Sequence, residues 1–319
     1  MKINIIGTES LGVRGLCCSV MLKDRKVLID PGIALGYNRH GHLPHPFQVA
    51  IGTKIRQKII EELAKATDVV FSHFDGDHVP LAKANPFQLS LESVRQLLSK
   101  KRIWAKSALQ TSNLEKTRRA AIEKSIHRVL PGIENQTNGA MSFSSPVPHG
   151  LRSYKAVSVM MTRFEEDGLV FLHASDVQLI HGETIEKIIA MTPNIVLSSG
   201  PPLYLSLLSE TQRRQVTQNT LHLARHVDCL IIDHHLLRSE AGYQWMKGIA
   251  SATGKNVICG AEFMGKVPLF LEAWRNELYQ SMPVPENWHN NYKKGITDLR
   301  PYFKSGRQYL IKHKNSFQK

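Results

Sequence analysis

The sequence predicts an α/β protein in which two sheets are covered by outer helices. Three observations carry that reading. Short apolar runs cut by glycine or charge crowd the first part of the chain, strand and helix signals alternate in the second, and 42% of the 319 residues are hydrophobic against 21% charged. Such a balance builds a core, and the length suits one large domain or two ordinary ones.

Taken in order, "KINIIG", "LCCSVMLK" and "KVLID" are the first three strands, separated by "GTESLGVRG" and by "DR", and the last two form a hairpin. In "TKIRQKIIEELAKAT" the apolar residues Ile55, Ile59, Ile60 and Leu63 recur at helical spacing, and the helix runs straight into a strand, "DVVF". "LESVRQLLSK" and the stretch from Asn113 to Leu130 read as further helices. "YKAVSVMMTRF" and "LVFLHASD" are strands joined through "EEDG", a hairpin turn. Beyond them helix and strand alternate: "ETIEKIIAM", "NIVLSS", "SETQRRQVTQNTLHLARH", "DCLIID", "GYQWMKGIASATG" and "NVICG". From about Met282 the chain turns polar and proline-marked, "PVPENWHNNYKKG", so residues 1–282 are expected to form the compact body and 283–319 a tail.

The net charge of +14 and a pI near 9.7 favour an acidic partner: a small anionic substrate, or nucleic acid. The tail interleaves Trp288, Tyr292, Tyr302, Phe303, Tyr309 and Phe317 with eight cations, a composition that single-stranded nucleic acid binders share. A tail that packs on the body with its charges in water is the plainer expectation. No apolar run approaches the roughly 18 residues of a membrane span, and "MKINIIGTES" lacks a signal peptide's apolar region. A cytoplasmic protein without a membrane segment is expected. Cys17, Cys18, Cys229 and Cys259 sit in apolar contexts without CxxC spacing, as reduced core thiols do.

The chemistry concentrates in "HFDGDH", which follows "DVVF" and places His73, Asp75, Asp77 and His78 within six positions. Charged groups at the end of a buried strand lose solvation and are tolerated when paired or bound to a metal. Histidine with carboxylate suits Zn, Mn or Fe. Partners come from similar contexts: His149 in "SPVPHG", Asp176 ending "LVFLHASD" and His234 ending "DCLIIDH". Each alone reads as a structural residue, because buried polar groups are usually paired. Their order, with Asp30 in "LIDPG" ahead of them, raises the metal reading.

In that order the chain resembles the metallo-β-lactamase-fold hydrolases over about residues 1 to 282. "LGVRG", "LIDPG", "PHP", "SHFDGDH", "SGPP" and "DHHLLR" are similar to an archaeal branch of predicted metal-dependent hydrolases. The resemblance implies an αββα sandwich holding two divalent ions at one edge of the paired sheets. It implies His73, Asp75 and His149 as ligands of the first ion, Asp77, His78 and His234 of the second, and Asp176 as the bridge. Asp30 would sit just outside, bonding a ligand or fixing the turn. His235 would be a proton donor or substrate contact, unless it replaces His234 as ligand. The usual motif has histidine where this chain has Asp75; a carboxylate there moves preference from Zn towards Mn or Fe. Two cations sharing a carboxylate acidify a shared water and polarise a substrate oxygen, so a hydrolase is expected, foremost of phosphoesters. A nuclease of the same fold and a carboxylesterase or lactonase are the alternatives.

Other signals are weaker. "RHGHLPHP" offers His40, His42 and His45, of which His45 in "PHP" is expected at the site edge, and Arg14 in "GTESLGVRG" is expected to face substrate. That stretch lacks the Lys-Ser/Thr of a phosphate loop. Ser198 and Ser199 in "LSSGPPLY" lack a GxSxG elbow and are poor nucleophiles.

Overall fold

The computed structural model describes residues 1–151 and 157–317. Strands β1 (Lys2–Gly7), β2 (Cys17–Met21) and β3 (Lys26–Ile29) pair antiparallel in sequence order. Helix α1 (Pro46–Lys65) starts well before the apolar stripe, because Pro46 takes its first turn and His45 caps it. It returns the chain to β4 (Asp68–Phe71), parallel to β3. After α2 (Leu91–Leu98) comes β5 (Arg102–Ala105), parallel to β4, a strand that the apolar pattern does not reveal. Its four residues, "RIWA", are too few to show a period beside the charges of "SKK". Helix α3 (Asn113–Ile126) is opened by a reciprocal cap between Ser112 and Glu115 and stops at His127 in a left-handed conformation, short of the expected Leu130.

The second sheet begins with β6 (Thr137–Asn138) and β7 (Met141–Phe143); β8 (Val147–Pro148) and β9 (Ser158–Val159) form a separate ribbon. The hairpin of β10 (Thr162–Glu166) and β11 (Leu169–Ser175) turns through Asp167 and Gly168, whose φ values of 52° and 76° are those of a two-residue hairpin loop. The part of the expected strand at Tyr154 to Ala156 lies outside the described residues. Then α4 (Gly182–Ala190), β12 (Ile195–Ser198), α5 (Glu210–His226), β13 (Cys229–Ile232), α6 (Glu240–Thr253) and β14 (Asn256–Ile258) alternate, and β11 to β14 run parallel. Four helices close the chain: α7 (Gly260–Phe263), α8 (Arg275–Ser281), α9 (Trp288–Lys293) and α10 (Arg300–Phe317).

The layers follow from side-chain alternation. Cys17 and Cys18 are adjacent on β2 and point to opposite faces. Cys18, with Ile5, Val20, Ile29 and Val70, packs in one core with Phe143, Phe164 and Phe171 of the second sheet. Cys17, with Leu28, Val69 and Phe71, packs in another with Ile59 of α1, Val94 of α2 and Ile122 of α3. All four cysteines are free and buried. Ile185, Leu223 and Met246 bring α4, α5 and α6 onto the second sheet. The architecture is the αββα sandwich. Each large apolar side chain removed from water contributes about 1.5–3 kcal/mol, so both faces of both sheets have to be covered.

The segment from residue 283 is part of that packing. Trp288 and Tyr309 are buried in the two cores, and a Cβ on Gly306 would stand 2.3 Å from ring atoms of Phe47. Lys293, Lys294, Arg300, Lys304 and Arg307 remain exposed. Trp288 and Tyr309, two of the six aromatics of this segment, are therefore turned inward. Lys319 lies outside the described residues. Among the described residues no helix is long and apolar enough to cross a membrane.

Candidate metal centre

The C-terminal ends of parallel strands from both sheets meet at one edge of the sandwich. Asp30 follows β3, His73 and the residues after it follow β4, Asp176 follows β11, and His234 lies two residues beyond β13. Three non-glycine residues there have left-handed backbones: Asp30 (φ 47°), Ser175 (φ 51°) and His234 (φ 30°). Such conformations cost of order 1–3 kcal/mol each and persist where the surroundings over-determine them. Gly32 allows the close approach this geometry needs, since a Cβ there would lie 2.2 Å from the His78 backbone.

Asp176 is the centre of the arrangement. Nε2 of His149 and of His73 lie 3.0 and 3.7 Å from its Oδ2. Nε2 of His78 and of His234 lie 3.2 and 3.8 Å from its Oδ1. Asp75 Oδ2 joins the first pair, at 3.8 Å from His73 and 3.7 Å from His149. Asp77 Oδ2 joins the second, 3.3 Å from His234. His73, Asp75, His149 and Asp176 form one group of ligand atoms within 4.8 Å of one another, and Asp77, His78 and His234 another. The seven residues drawn from the sequence are brought together in two sets, with one carboxylate facing both.

Among the described residues, Nε2 of His73, Nε2 of His78 and Oδ1 of Asp176 are buried without a hydrogen-bond partner. Orphaned donors and acceptors at such a point cost free energy unless something else binds them. The donor set, imidazole nitrogen and carboxylate oxygen, fits two divalent ions of the Zn, Mn or Fe class. The field points the same way. Burial would push the His78 imidazole down, but Asp176 first and then Asp30 and Asp77 hold its pKa well above the usual value. Burial would raise the Asp176 and Asp77 carboxyls, yet the neighbouring histidines hold both well below the usual range. The pocket is built to receive positive charge.

Asp30 supports this set from behind. Its Oδ1 accepts from the Ser72 amide (2.9 Å), and its Oδ2 accepts from the hydroxyls of Ser72 (2.6 Å) and Ser175 (2.8 Å) and faces His78 Nδ1 at 3.1 Å. Burial opposes its charge, but the hydrogen bond and charge of His78, then His173 and His73, bring its pKa down to about 2. Asp30 thus bonds His78 and ties the end of β3 to the ends of β4 and β11. Nothing in the sequence distinguishes Ser72 and Ser175 from other strand-end serines, and only their place around Asp30 gives them a role.

His235 stands at the rim, its Nε2 3.2 Å from Asp176 Oδ2 and its ring 5.7 Å from that of His149. His234, not His235, shares the second set with Asp77 and His78. Burial and the Arg238 charge hold the His235 imidazole well below its usual pKa, in the neutral form. Arg238 is itself buried; its Nη2 lies 3.0 Å from Nε2 and 3.4 Å from Nδ1 of His234, against the ring, and 3.8 Å from Asp77 Oδ2. Tyr204 Oη accepts from it at 3.4 Å, and the Arg39 guanidinium covers the Tyr204 ring at 4.5 Å.

Two sequence expectations are placed elsewhere. Arg14 donates in a two-point ion pair to the buried Glu272 at 2.7 and 2.5 Å, so its charge is committed within the protein. His45 is fully buried: its Nδ1 accepts from the Phe47 amide and its Nε2 meets the Met282 carbonyl at 2.9 Å. It is a helix cap, not a site-edge contact. Ser198 and Ser199 are buried and both donate to the Val177 carbonyl.

No family model matches the chain. Curated relatives do. A UPF0282 protein of Methanosarcina mazei is 44% identical over 302 residues, covering 95% of this chain and 99% of that one. UPF0282 proteins of Pyrococcus furiosus (33% identical, 88% and 92% covered) and Methanocaldococcus jannaschii (31%, 90% and 99%) match over similar lengths. Among solved structures, the metallo-β-lactamase-fold protein YhfI of Bacillus subtilis matches with a TM-score of 0.49 at 10% identity, covering 84% of this chain and 97% of that one. An isothiocyanate hydrolase from Delia radicum gut bacteria has the same TM-score at 15% identity, with 81% and 95% covered.

Proposed function

The chain belongs to the UPF0282 family, and from the geometry of its candidate metal centre we propose that the protein is a binuclear metal-dependent hydrolase acting on phosphoesters. The observation that carries this is Asp176, a carboxylate whose two oxygens face two sets of ligand atoms, with Nε2 of His73, Nε2 of His78 and its own Oδ1 lacking a hydrogen-bond partner. His73, Asp75 and His149 would hold one ion, Asp77, His78 and His234 the other, with Asp176 shared. Bound there, two divalent ions supply Lewis acidity towards a substrate oxygen and lower the pKa of water.

The protein's own residues do the rest. Asp30 fixes the orientation of the His78 ring through Nδ1 and so aims Nε2 into the centre. Ser72 does the same for His73, with its hydroxyl 2.9 Å from Nδ1. His235, neutral and at the rim, offers a polar contact to substrate without adding charge. Arg238, which also faces Glu9 Oε2 at 3.5 Å, places positive charge against the second set, and Tyr204, covered by Arg39, lies beyond it on the side where a substrate anion would approach. The net charge of +14 draws anions towards the body. A phosphoryl group, with several anionic oxygens, uses both the paired ions and this charge; a neutral ester uses only carbonyl polarisation.

The test is a substrate panel on enzyme reconstituted with Mn or Zn. Phosphodiesters or phosphomonoesters are expected to be cleaved with higher kcat/KM than matched carboxylesters, and the preference should shrink in high salt. Hydrolysis of carboxylesters or lactones with every phosphoester left intact would overturn the substrate class.

A further inference from the structure

Asp75 is the one position where the motif departs from the pattern it resembles, and it brings a negative charge where a neutral imidazole is usual. Its two oxygens have different partners. Oδ2 faces Nε2 of His73 and His149. Oδ1 accepts from Arg118 Nη1 at 3.1 Å, and the same nitrogen donates to the Phe74 carbonyl at 3.0 Å. Arg118 is anchored on α3, 43 positions along the chain, and most of its side chain is covered, with 21% exposed. The guanidinium also lies close against the turn: a Cβ on Gly76 would meet its Nη2 at 3.2 Å.

We infer that Arg118 is a positioning residue that makes Asp75 act as a single-oxygen, charge-compensated ligand, so that Asp75 and Arg118 together take the place of one histidine. The inference rests on the metal-centre reading above. Two physical effects combine in it. Holding Oδ1 leaves one oxygen for the ion and prevents the carboxylate from turning to chelate it through both. Placing a cation against that carboxylate offsets the extra charge, so the ligand set around the first ion is no more anionic than one with three histidines. The pair is then a unit: neither member can be exchanged alone without leaving a charge unmatched beside the site.

A double-variant cycle read by metal binding tests this. Purified wild type, Asp75→His, Arg118→Met, Arg118→Lys and Asp75→His/Arg118→Met are dialysed against Zn or Mn, and bound metal is counted by elemental analysis. Circular dichroism of each confirms that it is folded. Asp75→His should weaken the first site roughly tenfold or more, because a cation then faces an imidazole and an ion. Arg118→Met should shift it the other way, since it frees Asp75 as an uncompensated carboxylate able to chelate through both oxygens, and Arg118→Lys should stay nearer to wild type because it keeps the charge. The double variant should recover two ions per chain, with a shift towards Zn. If Asp75→His binds as tightly as the folded double variant, or the folded double variant stays as weak as Asp75→His, the pair is not a unit and the inference fails. Wild type that binds no metal would overturn the metal-centre reading itself, a distinct result.

Discussion

At the scale of single residues, the division of labour among carboxylates decides the chemistry. Asp30, Asp75, Asp77 and Asp176 are all acids near one point, yet their partners differ: two serines and a histidine for Asp30, an arginine for Asp75, a histidine for Asp77, and a ring of histidines around Asp176. The shared carboxylate should matter more than any terminal ligand. Asp176→Ala is expected to lower bound metal from two ions per chain towards none, whereas His234→Ala should remove one. Elemental analysis after dialysis distinguishes them. Retention of both ions by the Asp176 variant would show that it does not bridge.

At the scale of elements, α1 is held at its start by a histidine. His45 caps it and reaches the Met282 carbonyl, linking the helix to the C-terminal segment. Burial first, with the His289 and Arg275 charges adding to it, pushes its pKa down to about 4 from the ordinary 6.5. The unfolded chain therefore binds a proton between those values that the folded chain refuses. The stability tied to His45 is full above about pH 6.5 and is lost as pH falls towards 4. For this group alone the loss at pH 5 is about 2 kcal/mol. His45→Asn keeps a capping acceptor but cannot titrate. Urea unfolding of metal-free wild type and variant at pH 7 and pH 5 should show the variant losing less stability on acidification; equal losses would rule the cap out as the titrating group.

At the scale of the whole molecule, the segment from residue 283 through α10 helps close the fold. Trp288 and Tyr309 lie in different cores, and Gly306 lets α10 lie flush on Phe47. Ending the chain after Met282 removes these contacts, and losing a buried Trp alone costs about 3–5 kcal/mol. The truncated chain is expected to unfold at a markedly lower temperature or to aggregate, and Gly306→Leu should fall in the same direction. A truncation with unchanged thermal unfolding would return these residues to the status of a tail.

The residues of the candidate metal centre are legible in the sequence because they belong to local patterns: HxDxDH within six positions, and single His or Asp residues just past apolar strand runs. Strand ends of parallel elements converge on one edge, so a pattern along the chain already carries spatial meaning. The helix and strand alternation of the second half is legible for the same reason, since periodicity is a property of neighbours. What lies outside local pattern is decided by the tertiary structure. The pairing of Arg14 with Glu272 spans 258 positions, that of His45 with Met282 spans 237, and the Arg118 contact to Asp75 spans 43. An arginine near a site and an arginine consumed by a buried glutamate look alike in sequence, and so do a histidine that binds and one that caps. Only the packing of distant elements fixes which oxygen faces which nitrogen, because a side chain's partner is set by proximity in space and leaves no period in the chain.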